Sequence, residues 1–221
     1  MCGRFSFAEP LDLLLGAFDI PDTAWSTAPR YNIGPGQLLM AIVNESGRRQ
    51  LELWKWGLIP SWSKDAKPAY STFNARAETI FDKPMFRVPV RRQRCLVPAD
   101  GFYEWKKNGK EKQPMRIVLQ DRRVFAFAGI YDIWLGAEKR PIHTVSIVTT
   151  TPNELMADIH DRMPVILPKN AEMLWLNPKI QDRDTIQPLL VPYPAKLMRA
   201  FPVSTLVNNI RNDVPECIQA V

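Results

Sequence analysis

The chain predicts an α+β fold: a curved, mainly antiparallel β-sheet or open barrel, flanked by short helices. Three observations carry that expectation. Runs rich in β-branched and aromatic residues recur at 38–43, 51–59, 115–119, 124–134 and 143–150, the composition that suits a pleated, half-buried surface. Helical spacing is confined to short stretches near 9–18 and beyond residue 151. There is no repeated βα alternation and no Gly-rich phosphate loop.

Taken in order, Leu11, Leu14, Leu15 and Phe18 fall at helical spacing and predict an amphipathic helix over 9–18 that anchors the N-terminal segment on the core. Pro29, Pro35 and Gly36 surround Tyr31-Asn32-Ile33-Gly34 and predict a punctuated loop. Strands follow at 38–43 and 51–59. Trp54 and Trp56 read as core, whereas Trp62, after Gly57-Leu58-Ile59-Pro60-Ser61, reads as a loop indole. Phe73-Asn74-Ala75-Arg76-Ala77-Glu78 resembles a helix start with Asn74 as its cap, although Asn74 and Arg76 can equally face a ligand. The three remaining apolar runs complete the sheet. Helices are expected after Thr151-Pro152-Asn153, with Glu154 in the acidic capping position, and around Asn170 to Leu176.

At 221 residues, 46% hydrophobic and 24% charged, the chain suits one domain over 1–221 and excludes disorder as its main state. No apolar run approaches the roughly 20 residues of a membrane span. Glu9 and Asp12 do not suit a signal peptide, so a cytoplasmic protein without membrane contact is expected. Cys2, Cys95 and Cys217 form an odd set without metal spacing, which argues against a disulfide framework, a metal site or a metal cofactor. Cys95 reads as a buried core thiol. A net charge of +6 favours a polyanionic partner, and Arg87, Arg91, Arg92 and Arg94 crowd one stretch behind Met85 and Phe86. Such a stretch can grip phosphates and wedge against bases, or be an ordinary solvated loop.

Cys2 follows Met1 directly. Loss of Met1 would leave an amine and a thiol on neighbouring carbons, with reference pKa values of about 8 and about 8.5, and local charge can raise the reactive fraction of each. Such a 1,2-aminothiol traps aldehydes, closing a thiazolidine through an imine without metal or cofactor. Of the two histidines, His143 lies in a strand and reads as structural. His160, in Ile159-His160-Asp161-Arg162-Met163-Pro164, stands where Pro164 breaks a helix, and its charged neighbours can set its protonation or cap the helix. Glu104 sits among Phe102, Tyr103 and Trp105; enclosed by rings it is a general acid and base near neutral pH, and exposed it is a partner for Lys106 or Lys107.

These motifs, in order, are Met-Cys-Gly-Arg-Phe at 1–5, Tyr31-Asn32 with Pro35-Gly36, Trp56-Gly57 with Pro60 and Trp62, Asn74-Ala75-Arg76 with Glu78, Gly101-Phe102-Tyr103-Glu104-Trp105, and His160-Asp161-Arg162. Together they resemble the SRAP (SOS response-associated peptidase) family from residue 2 to Val207-Asn208-Asn209. The resemblance implies covalent capture of abasic sites in single-stranded DNA, a lyase-like activity with autoproteolytic removal of Met1. It implies that Cys2 supplies both nucleophiles, Asn74 positions the N-terminus, Glu104 shuttles protons and catalyses reversal, and His160 assists at the sugar hydroxyl. Arg4, Asn32, Trp62, Arg76 and Arg162 are expected on DNA, with Met85 as a wedge at a single-strand/double-strand junction. Ser63 after Trp62 departs from relatives that carry a second aromatic there. A monomer without cofactor, nucleoid-associated when bound to DNA, is expected. Two other readings stay open: a non-covalent single-strand binding module and a self-processing cysteine peptidase. Activity on other peptides is not expected, and Asn208-Asn209 either lines the channel or closes the fold.

Overall fold

The computed structural model describes residues 2–21, 25–65, 72–109, 111–136 and 140–221. In chain order its elements are β1 (Phe5–Phe7), α1 (Leu11–Ala17), β2 (Arg30–Ile33), β3 (Leu38–Glu45), β4 (Arg48–Trp56), β5 (Asn74–Arg76), α2 (Pro89–Arg92), β6 (Arg94–Ala99), β7 (Gly101–Asn108) and β8 (Glu111–Leu119). They continue with β9 (Phe125–Leu135), β10 (Pro141–Thr150), α3 (Glu154–Ala157), β11 (Met163–Pro164), β12 (Ile166–Leu167), α4 (Lys169–Leu176), α5 (Arg183–Ile186) and β13 (Met198–Pro202). No helix is long and apolar enough to cross a membrane, among the described residues.

Two sheets make the α+β architecture. In the first, β10, β4, β3, β6 and β9 are hydrogen-bonded in succession, and β9 pairs back onto β10 from Pro141↔Leu135 to Ile147↔Gly129. The ring is therefore closed rather than open, and closure removes the edges that would template aggregation. Its pairings are antiparallel except where β10 runs parallel to β4, at Thr144↔Lys55 and Val145↔Trp56. The second sheet has the order β13-β8-β7-β1-β2. Edge-to-face rings join the sheets: Phe5 meets Trp56 at 5.3 Å and Phe127 at 5.7 Å, and Phe102 meets Phe127 at 6.0 Å. Such pairs add roughly 0.5–1.5 kcal/mol each beyond the area they bury.

Most predicted elements are present. The first helix buries Leu14 and Phe18, Asn153 caps α3 by accepting from the Met156 N–H, and Cys95 is fully buried. His143 stacks on Trp54 at 5.2 Å, a structural role. Two elements differ from expectation. Tyr31-Asn32-Ile33 is not loop but part of β2, because its backbone pairs with β1 at Phe5↔Ile33 and Phe7↔Arg30. Asn74-Ala75-Arg76 is not a helix start but β5, parallel to β10 from Ile147↔Asn74 to Thr149↔Arg76.

Candidate active site

Strand register builds the site. Phe5 opposes Phe102, and the Tyr103 N–H donates to the Arg4 carbonyl at 2.9 Å, so the antiparallel run carries the chain back past Glu104 to Cys2, whose thiol lies within reach of the Glu104 charge. Cys2 and Glu104 are both buried. On the neighbouring sheet β10 holds Asn74, whose side-chain amide donates to the Ile147 carbonyl at 3.4 Å. Asn74 is only 5% exposed, and its Oδ1 has no donor among the described residues. The turn after α3 brings His160 Nε2 to 3.9 Å from Glu104 Oε2. Thus the four expected catalytic side chains come from four separate parts of the chain, and Met1 lies outside the described residues.

The electrostatics follow from burial. Desolvation pushes the Glu104 carboxyl up to about 7, against the pull of the amino-terminal charge. Glu104 is thus an enclosed carboxyl and not a surface partner for the lysines beside it. Burial first, then the Glu104 charge, pushes the Cys2 thiol well above its ordinary value. While Met1 is attached the thiol is therefore held protonated. Burial also lowers His160 below the usual histidine value. The Arg162 backbone N–H and Asp161 Oδ1 both approach His160 Nδ1, at 3.0 and 2.9 Å, while Nε2 faces Glu104.

Residues expected on DNA divide into exposed and committed ones. Trp62 is 67% exposed, and its loop is pinned where Trp134 Nε1 donates to the Ser63 carbonyl and the Ser61 N–H donates to Asp132. Arg76 is exposed and Met85 is half-buried against the core. Arg162 forms a bidentate pair with Glu78, at 2.7 and 3.0 Å, and donates to the Thr149 carbonyl. Asn32 is fully buried, and its Nδ2 donates to the carbonyls of Val207, Asn209 and Asn212. It clasps the C-terminal segment and offers no surface to a ligand, which corrects the expectation of a direct contact. Arg4 shares that task, donating to Asn32 Oδ1 and the Val207 carbonyl while lying 5.8 Å over the Trp105 ring.

The basic stretch also needs correction. Arg94 is buried and donates to the carbonyls of Trp175, Val90, Arg91, Asn177 and Ile180, so it ties α4 to β6 rather than gripping phosphate. Phe86 is likewise core. Asn208-Asn209 closes the fold, and Asn208 also borders a cavity. Asn208 accepts from Trp105 Nε1 at 2.7 Å and lines the cavity, while the Asn209 carbonyl closes onto Asn32.

That cavity, about 470 Å³, is bounded by Glu104, Trp105, Lys107, Lys112, His160 and Asn208. Sequence reasoning missed Lys107, Lys112 and the pocket role of Trp105. A signal existed in Gly109, which follows the last paired residue of β7 and takes φ +62°, a conformation that favours glycine. A concave, partly apolar site with a carboxyl of raised pKa and a neutral imidazole is equipped for proton transfer beside a nucleophile.

Comparison with known proteins gives a consistent picture. A family model described as SOS response associated peptidase (SRAP) matches residues 1–210. The chain is 48% identical to the abasic site processing protein YoqW of Bacillus subtilis, with both chains fully covered. It is 34% identical to the abasic site processing protein HMCES of Gallus gallus, over 86% of this chain and 66% of that one. A crystal structure of a Bacteroides thetaiotaomicron protein superposes with a TM-score of 0.89 at 30% identity, covering 100% of both chains.

Proposed function

We propose that this chain, which belongs to the SOS response associated peptidase (SRAP) family, processes abasic sites in single-stranded DNA by covalent capture at Cys2. One observation carries the reading: the Cys2 thiol lies within reach of the charge of a buried carboxyl titrating near 7, and that carboxyl borders an open cavity with a neutral histidine 3.9 Å away. Abasic site processing is what the names of its relatives YoqW and HMCES state.

Capture requires prior hydrolysis of the Met1–Cys2 bond, by Cys2 itself or by an aminopeptidase. The freed α-amine then adds to the aldehyde carbon of the ring-opened sugar. Water leaves to give an imine, and the Cys2 sulfur adds to the imine carbon while the thiol proton passes to nitrogen. One C–N and one C–S bond form, and one water is lost. Glu104 suits both proton transfers: protonated, it assists departure of the hydroxyl; ionised, it takes the proton from a thiol that burial keeps neutral. Asn74 Oδ1, lacking a donor among the described residues, is an acceptor for the new amine. Neutral His160 can donate to a sugar hydroxyl or accept from it, according to which ring nitrogen carries the proton. Reversal runs the same steps backward through Glu104. Trp62 offers a stacking surface for an unpaired base, which favours a single strand.

Intact mass spectrometry tests this directly. A single-stranded oligonucleotide bearing one abasic site should give a heat-stable adduct lighter by one water than the sum of protein and DNA, and an undamaged strand should give none. Cys2→Ala should abolish the adduct; a covalent band that persists in that variant sinks the mechanism.

A further inference from the structure

The β7–β8 arm carries an arrangement that the capture chemistry does not use. Strand pairing sets Lys107 directly opposite Lys112, with Trp105 on the same face opposite Pro114. Opposed residues of an antiparallel pair have their Cβ atoms roughly 4.5–5.5 Å apart, and like charges placed so repel. Both lysines are exposed, and among the described residues neither has a carboxylate within ion-pair distance. Both border the cavity that Glu104 and His160 share. Two ammonium groups held together without a counter-charge, facing into a site, are relieved by an anion seated between them.

We propose that Lys107 and Lys112 form a phosphodiester clamp that seats the DNA backbone beside the sugar presented to Glu104. The inference rests on the capture reading above and extends it to a second contact. The floor of the clamp is fixed, since Trp105 is held by Asn208 on one side and lies under the Arg4 guanidinium on the other. Lys106 provides an internal contrast: it belongs to the same arm, across from Gln113, but is not among the residues that border the cavity. Burial, the amino-terminal charge and, more weakly, Lys107 hold His160 below its ordinary value. A phosphate on Lys107 offsets the last of these, so backbone seating and the proton affinity of His160 are coupled.

Two measurements on the full chain test the clamp. Fluorescence anisotropy with an undamaged single-stranded oligonucleotide, across a salt series, reads phosphate contacts without any covalent step. Each lysine that neutralises one phosphate contributes about 0.7 to the slope of log K against log salt. The double variant Lys107→Ala/Lys112→Ala should therefore have a slope shallower by about 1.4, and Lys106→Ala should match the wild type. Capture is then followed by mass with the abasic oligonucleotide and with free 2-deoxyribose: the double variant should slow roughly tenfold on the oligonucleotide and not at all on the sugar. An unchanged slope in the double variant overturns the clamp even if capture proceeds. Wild-type protein that forms no adduct with either aldehyde overturns the capture reading, and a shallower slope in the variant would then still establish the phosphate contacts.

Discussion

Asp100, in the bend before β7, and Glu104, within β7, are two buried carboxylates whose surroundings could hardly differ more. Asp100 accepts from Ser6 Oγ at 2.5 Å and the Ala8 N–H at 2.6 Å, and pairs with Arg116 at 3.0 Å. The guanidinium fits only because residue 101 is glycine; a Cβ there would lie 2.8 Å from Arg116 Nε. Glu104 faces an imidazole instead, and burial leaves its proton exchangeable near neutrality. Burial alone therefore does not mark a reactive carboxyl. A carboxylate locked to a guanidinium and two further donors is a girder, whereas one enclosed beside a neutral base keeps proton transfer available.

The sharpest way to break that contrast is Asp100→Ala, which strands Arg116, only 11% exposed, as a buried cation. It should cost roughly 3–5 kcal/mol in urea unfolding, while capture per folded molecule stays within about twofold of wild type. Loss of capture at unchanged stability would erase the distinction. Glu104→Gln should do the reverse, slowing adduct formation and reversal by at least roughly 100-fold without destabilising the fold. Urea titrations at several pH values supply the third test. Because the folded value of Glu104 is raised, its contribution favours the fold most below its ordinary pKa of 4.5 and is lost as pH rises through about 7. The difference amounts to roughly 3–4 kcal/mol. Glu104→Gln should therefore be more stable than wild type at pH 8 and lose that advantage toward pH 4; parallel curves would refute the raised value.

Smaller effects lie further from the pair. Trp62→Ala should weaken single-strand binding by about 1–3 kcal/mol and leave the thermal midpoint unmoved, since the indole is largely exposed. Glu78→Gln loosens the carboxylate fork that holds Arg162 and, through its backbone, His160. A severalfold slower capture with an altered pH profile is expected; the same slowing at every pH would reduce Glu78 to a structural role.

Strands whose apolar residues are β-branched or aromatic were legible, because sequence composition reports directly on a pleated buried surface. Asn74-Ala75-Arg76 was not, since its residues suit a helix cap and only the distant β10 imposes an extended backbone. Tyr31-Asn32-Ile33 is a short strand hidden among prolines and glycine, paired at long range with β1. Charge was the least reliable guide. Arg94 looks like its basic neighbours in the sequence, yet a cage of carbonyls makes it core. Cys2, Glu104 and His160 were legible as reactive types, but their convergence depends on strand register that no local pattern encodes.

The clasp formed by Arg4 and Asn32 has a consequence for biosynthesis. Arg4 closes onto the Val207 carbonyl, 203 residues along the chain, so the wall beside Cys2 is assembled from material the ribosome delivers more than two hundred residues after the nucleophile itself. A nascent chain thus carries its thiol before the partner that closes this wall has been made, and the wall is complete only when the late segment docks.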